Sequence, residues 1–204
     1  MYLPEKTVER LSQYRRTLLN CSAKGQIYIF SHELAALLNI TAVQVRRDIM
    51  FLGYSSLQRK GYDIKDLIHT IGNVLDNHEI INVAVIGLGN LGTAITTYFK
   101  GKRDKLEIVA AFDINPDKIG KVIADVTCYP VSELNELVKK QNITIGMITV
   151  PPEQAADVAR KLSEAGIKGI LNFTTVPLNV SSDVYLEEYD MITSLEKIAY
   201  FVKK

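Results

Sequence analysis

The chain is short of the residues on which the commonest kinds of site chemistry depend. It has two cysteines, Cys21 and Cys128, which fall one in each half and share no metal-ligand or redox spacing, so both read as reduced structural residues. It has three histidines, His32, His69 and His78, all in the front part of the sequence. No apolar run is long enough to span a bilayer. The opening Met-Tyr-Leu-Pro-Glu-Lys lacks the basic and then apolar pattern of a signal peptide, so a cytoplasmic protein is expected. A disorder signature is missing too, because 47% hydrophobic against 23% charged residues leaves ample material for a core. No internal repeat or low-complexity segment occurs, and 204 residues suffice for one large or two small domains. The net charge is only +1, yet residues 1–75 hold 10 Lys and Arg against 6 Asp and Glu, while the remainder holds 14 against 17. A polyanionic partner would therefore belong to the front.

What is present is a run of glycines in a telling context. Residues 82–92 read Asn-Val-Ala-Val-Ile-Gly-Leu-Gly-Asn-Leu-Gly, and Asp113 follows the last glycine by 21 positions at the end of the apolar run Ile-Val-Ala-Ala-Phe. A strand feeding G-x-G-x-x-G, with an acid at the end of a second strand, is the dinucleotide-binding fingerprint. Its glycines allow a sharp turn and close approach to a pyrophosphate, and the helix that follows presents unpaired amides to the anion. Asp113 is placed to accept hydrogen bonds from ribose hydroxyls and to repel a 2′-phosphate. Ile114 and Asn115 supply no arginine to offset that repulsion, so NAD(H) is favoured over NADP(H).

The fingerprint sits late, with about 80 residues ahead of it. Those residues predict an amphipathic helix over 5–20, a short strand over 27–30, a helix from an N-cap at Ser31 to Leu38, and a tight turn at Asn39 and Ile40. Thr41 and Gln44 form a capping-box pattern opening a further helix to about Leu52. Two short helices so spaced have the layout of a helix-turn-helix, whose second helix enters the major groove. Arg46 and Arg47 diverge by about 100°, so one is expected to read a base and the other to grip phosphate. Gln44 stays divided between cap and base contact. Residues 54–62 have the turn formers and cations of a β-wing, with Arg59 and Lys60 at its tip. Asp63 then caps a helix bearing Ile64, Leu67, Ile68, Ile71 and Leu75.

Behind a polar linker, strands expected at 81–86, 107–112, 143–149 and 168–172 alternate with helices at about 91–100, 132–140 and 153–165, which predicts a parallel, doubly wound sheet. Thr193 or Ser194 is expected to cap a last helix with a stripe of Leu195, Ile198, Ala199 and Val202. That stripe either covers the sheet of its own chain or meets a partner. A hydride-transfer enzyme would need an acid or base beside the nicotinamide and a domain to hold substrate. All three histidines precede the fingerprint and the segment behind the sheet is short, so no catalytic residue is expected and no metal site.

Several of these stretches together resemble the redox-sensing transcriptional repressor Rex family. They are residues 41–48 (Thr-Ala-Val-Gln-Val-Arg-Arg-Asp), Gly61 and Tyr62, the glycine turn, residues 110–113 with Pro116 and Lys118-Ile-Gly, residues 149–151 (Thr-Val-Pro), and residues 165–173 (Ala-Gly-Ile-Lys-Gly-Ile-Leu-Asn-Phe). The resemblance implies a winged helix-turn-helix domain over 1–78, a Rossmann domain binding NADH and NAD+ as regulatory ligands over 79–192, and a C-terminal dimerisation helix over 193–204. It implies a homodimer on palindromic operator DNA that lets go when NADH binds. The cofactor site it implies comprises Gly87, Leu88, Gly89, Asn90, Leu91, Gly92, Asp113, Ile114, Lys118, Thr149, Val150, Pro151 and Phe173; Thr174, where this chain departs from the family pattern, is expected to offer its hydroxyl to the nicotinamide carboxamide. The DNA-facing set is Ser31, Thr41, Gln44, Arg46, Arg47, Arg59 and Lys60. Arg16, Tyr98 and Asp190 are similar to the family's redox-coupling set, and the last helix to a segment that crosses into the partner subunit. Two departures stand out: the wing lacks two glycines of the family pattern, and Thr174-Thr replaces Ala-Pro. The rear half alone also resembles the CoA-binding domains of acyl-CoA ligases, so a CoA- or nucleotide-binding module and a small NAD-dependent dehydrogenase remain the alternatives.

Overall fold

The structure, a computed structural model, describes residues 3–54, 60–76, 79–102 and 105–203. It divides into two compact units, residues 1–77 and 78–204.

The first unit is helical. α1 (Glu5–Ala23) turns Leu11, Tyr14 and Leu18 inward, and β1 (Tyr28–Ile29) adds Ile29 to the same core. α2 (Ser31–Leu38) ends at Asn39, whose φ of 54° makes the left-handed turn into α3 (Ala42–Phe51). β2 (Tyr62–Asp63) pairs antiparallel with β1, and α4 (Ile64–Leu75) packs against α1. Leu34, Val45, Ile49, Ile64, Leu67 and Ile71 complete the core at helical spacing. Asp63 caps α4 by accepting the Asp66 amide at 3.0 Å. Ser31, by contrast, is the first residue of α2 and not its N-cap. Glu33 reaches back to accept the Phe30 amide at 2.7 Å, so the helix opens one residue early and the Ser31 hydroxyl is displaced from the cap position.

The buried carboxylate of Asp48, on the inner face of α3, ties the unit together. Its Oδ2 accepts from Arg10 Nε at 2.6 Å and Tyr14 OH at 2.7 Å, and its Oδ1 from Arg10 Nη2 at 2.8 Å and Gln44 Nε2 at 2.9 Å. Burial pushes the Asp48 carboxyl up, but these donors more than offset it and hold it below its ordinary value.

The second unit is a seven-stranded sheet in the order β5-β6-β4-β3-β7-β8-β9, comprising β3 (Ile81–Ile86), β4 (Leu106–Asp113), β5 (Val122–Ile123), β6 (Val126–Pro130), β7 (Ile143–Ile148), β8 (Gly169–Asn172) and β9 (Tyr185–Glu188). All pairings are parallel except β5 with β6. The intervening helices are α5 (Asn90–Phe99), α6 (Leu134–Lys140) and α7 (Pro152–Ala165). Side chains alternate between faces: Ala84, Ile86, Phe112 and Ile148 pack with Leu134, Val158 and Leu162, while Val83, Val85, Ala111 and Met147 pack with Ile95 and Phe99. The chain runs from β3 outward through β4 to β6, then returns to β7 on the other side of β3. That reversal creates a switch point at the carboxyl ends of β3 and β7, where doubly wound sheets bind ligands.

Sequence patterning anticipated the central strands and helices but not the edges. β5 and β6 form a hairpin whose turn residues Ala124 and Asp125 have φ of 50° and 69° without glycine, so the usual turn signal is missing. β9 is mostly exposed and ends in Glu187 and Glu188, so it has no apolar run to announce it. The final helix α8 (Met191–Phe201) is capped by Asp190 and not by Thr193 or Ser194. The Asp190 carboxylate accepts the Ile192 amide at 2.8 Å, and the Thr193 hydroxyl donates to it at 2.6 Å, so the helix starts earlier than expected.

Asp48→Asn removes the counter-charge of Arg10, whose side chain is 21% exposed, so the cost lies at the low end of the range for a buried pair, about 3 kcal/mol. Urea denaturation followed by circular dichroism should show a loss of about that size at pH 7 in the N-terminal transition. Because the folded-state pKa of Asp48 is lowered, its contribution is complete above the unfolded carboxylate range and is lost as pH falls through the lowered value. The parent's advantage should therefore shrink from about pH 4 downward. Equal stabilities at pH 7 would refute the clamp.

Candidate dinucleotide site and nucleic-acid interface

The glycine turn joins β3 to α5 and is braced by the protein itself. Gly87 has φ of +99°, and a Cβ there would lie 2.9 Å from the Thr149 carbonyl oxygen. A Cβ on Gly92 would lie 2.0 Å from the Gly87 carbonyl oxygen. These two glycines let the helix close on the strand. Gly89 differs, since a Cβ there would meet nothing within 4 Å. It is the N-cap residue of α5, with Asn90 exposed and Leu91 half-buried beyond it. The open side of Gly89 thus faces solvent at a helix N-terminus, where an anion is favoured. The Thr149 hydroxyl donates to the Gly87 carbonyl at 2.7 Å and fixes the turn from the β7 side.

Asp113, 7% exposed at the end of β4, is bonded to the same turn. Its Oδ2 accepts the Leu88 amide at 2.8 Å and the Lys118 ammonium at 2.9 Å, and its Oδ1 accepts the Asn115 amide at 2.9 Å. Burial raises the Asp113 carboxyl, but the Asn115 amide, Lys118 and the Leu88 amide outweigh it and hold it below its ordinary value. The group stays ionised, and of roughly four lone-pair positions three are taken, which leaves one for a ligand hydroxyl.

A cleft of about 230 Å³ opens between these elements, lined by Gly87, Gly89, Asp113, Ile114, Lys118, Thr149, Val150 and Pro151. Ile114, 67% exposed, forms an apolar rim suited to a flat ring. Gln154 and Val158 of α7 and Val131 also line it, although sequence reasoning had not singled them out. The only signal was Pro152 at the start of a helix pointing back at the cleft. Phe173 and Thr174 are not among the lining residues. Phe173 packs edge-on against Tyr189 at 5.8 Å between centroids. The Thr174 amide and hydroxyl donate to Asn172 Oδ1 at 2.9 and 2.8 Å, so the hydroxyl expected at the nicotinamide carboxamide is engaged inside its own turn.

In the first unit, Thr41 caps α3 by accepting the Gln44 amide at 3.2 Å. The Gln44 side chain takes neither of its expected roles, because its carboxamide donates inward to Asp48. Arg46 and Arg47 are both exposed, and Arg46 Nη1 donates to Ser31 Oγ at 3.1 Å, joining α3 to α2. Lys60 is exposed; Arg59, expected at the wing tip, lies outside the described residues. Of the expected coupling set, Arg16 is exposed on α1. Tyr98 is 66% exposed, edge-on to Phe99, with Lys102 Nζ 5.3 Å from its ring centroid. Asp190 serves as the α8 cap.

Cys21 and Cys128 are buried free thiols. Among the described residues no group of three or more His, Cys, Asp and Glu is arranged to hold a metal, and no helix is long and apolar enough to cross a membrane.

Residues 2–49 match the family described as putative DNA-binding protein N-terminus, and residues 78–176 the family described as CoA binding domain. The redox-sensing transcriptional repressor Rex of Leuconostoc citreum is 38% identical over 98% of this chain and 93% of its own length. That of Carboxydothermus hydrogenoformans is 37% identical over 99% of this chain and 97% of its own. The chain belongs to the Rex family. Rex relatives are transcriptional repressors, and the solved structure of RSP, a Rex-family repressor, with β-NAD+ and operator DNA superposes with a TM-score of 0.90 at 31% identity, covering 99% of this chain and 93% of that one. RSP with β-NADH gives a TM-score of 0.87 at 30% identity over 99% and 95%.

The contrast between the glycines makes a sharp test. Gly89→Ala should unfold like the parent, since the added methyl meets no protein atom, yet weaken NADH binding at least tenfold in calorimetric titration. Gly92→Ala should lower the melting temperature of the Rossmann unit. A Gly89→Ala protein with parental NADH affinity would remove the pyrophosphate from this turn.

Proposed function

We propose that this protein is an NADH-responsive transcriptional repressor that binds palindromic operator DNA as a homodimer in the cytoplasm and releases it when NADH binds. The observation that carries the reading is the open face of Gly89 at the start of α5 beside the ionised Asp113, in a chain that also holds a helix-turn-helix. Asp113 selects NAD(H), because a carboxylate bonded to the glycine turn repels a 2′-phosphate.

Discrimination between the two redox forms follows from charge. The nicotinamide ring is neutral when reduced and cationic when oxidised, and Val150 and Pro151 give part of the cleft an apolar wall. Burying an unpaired charge there costs several kcal/mol, so the reduced form binds more tightly. A dimer geometry stabilised by NADH, with recognition helices set off the ~34 Å repeat of successive major grooves, then lowers operator affinity. A coupling of about 1–3 kcal/mol changes that affinity by about 5 to 150-fold. Tyr98 and Asp190 of the Rossmann unit and Arg16 of the helical unit are assigned to this coupling by family resemblance. A regulatory role fits the Rex relatives, which are transcriptional repressors, and the Asp113 carboxyl at the cleft is held ionised by hydrogen bonds.

The C-terminal helix supports the dimer. Leu195, Ile198, Phe201 and Val202 are 66, 58, 75 and 69% exposed, and no residue of α8 is buried within the chain. We assign this face to the partner subunit.

NADH titrated against protein bound to a labelled operator should lower DNA affinity within the range given above, with NAD+ and CoA far less effective. Arg47→Ala should abolish operator binding with NADH affinity unchanged. Release by CoA and not by NADH would favour a CoA-binding module instead. Removing residues 191–204 should convert a dimer to a monomer in sedimentation velocity, and a truncated chain that stays dimeric would place the interface elsewhere.

A further inference from the structure

The outward face of the recognition helix is apolar along its centre. Val43 is 57% and Met50 74% exposed, while Val45, Asp48 and Ile49 face inward. At about 100° per residue, Met50 falls about 20° from Val43 around the helix, with Arg47 about 40° to one side and Arg46 about 60° to the other. The two guanidinium groups therefore flank a Val43–Met50 strip. Arg46 is drawn further aside by its bond to Ser31, and the Gln44 carboxamide is turned inward to Asp48. Along its middle the face offers neither donor nor acceptor.

The major groove has one apolar feature that such a strip can recognise, the C5-methyl of thymine. Flanking arginines suit the phosphates on either side. Val43 is the second residue of α3, and it is the N-terminal residues of a recognition helix that reach base edges. We propose that Val43, extended by Met50, reads thymine methyl groups in each half-site, so that part of the operator preference is apolar. This rests on the repressor reading above.

The test removes methyls from the DNA and from the protein. Duplexes are selected by the full chain from a random pool, and each thymine of the selected site is then replaced in turn by uracil, which keeps every hydrogen-bonding group. At the contacted thymine the parent should lose about fourfold in affinity, the factor corresponding to one buried methyl. Val43→Ala or Met50→Ala should bind the thymine and uracil duplexes equally at that position, with NADH affinity and melting temperature unchanged. Lys60→Ala, an exposed cation off the recognition helix, should weaken both duplexes and keep the difference between them. A parent indifferent to every uracil overturns the inference and leaves the repressor standing. So does a uracil effect that survives in both Val43→Ala and Met50→Ala. Failure to select any DNA overturns the repressor reading and this inference together.

Discussion

A single buried carboxylate ties together the helical unit that carries the expected DNA-facing residues. Asp48 lies on the buried side of the helix whose other side carries Arg46 and Arg47, and it gathers Arg10 and Tyr14 from α1 together with Gln44 from its own helix. An ionised group in that position is tolerable only because four donors surround it. The same constraint fixes the rotation of α3 about its axis: turning it would withdraw Asp48 from Arg10 and bring the arginines inward. The orientation of the face carrying Arg46 and Arg47 is thus set from the inside, by a polar contact within an apolar core.

In the Rossmann unit the corresponding constraint is backbone crowding. Gly87, Gly92 and Thr149 meet so closely that side chains are excluded at both glycines, and the Thr149 hydroxyl closes the contact. What remains open is the side of Gly89. The fold thus leaves the start of α5 open on the Gly89 side by packing tightly everywhere else around the turn, and Asp113, bonded to the Leu88 amide, links the neighbouring strand to it.

Much of this was legible in the sequence. Strand β3 and helices α3 and α4 follow from apolar spacing and from the Thr41 and Asp63 caps, and the glycine turn with its spaced Asp113 located the cleft. The rest was hidden for identifiable reasons. Asp48 looks like one more polar residue in a helix until the partners 38 and 34 positions away are brought to it by the fold. Gln44 could be read as a cap or a base contact because a sequence does not say which way a carboxamide points. Thr174 seemed free for a ligand because the acceptor two residues earlier, Asn172, becomes reachable only in the turn after β8. β9 pairs through its backbone at a sheet edge and needs no apolar signature.

The double duty of Asp113 limits how this protein can change. The oxygen that accepts the Leu88 amide belongs to the carboxylate that, in the function proposed above, would turn away a phosphorylated ribose. Replacing the acid to admit a different dinucleotide would also unhook the glycine turn, so ligand choice and local architecture cannot drift separately. A lineage shifting toward NADP(H) would first need a new tether for Leu88, so a preference for NAD(H) set by Asp113 would be a property of the scaffold and not an adjustable feature of its surface.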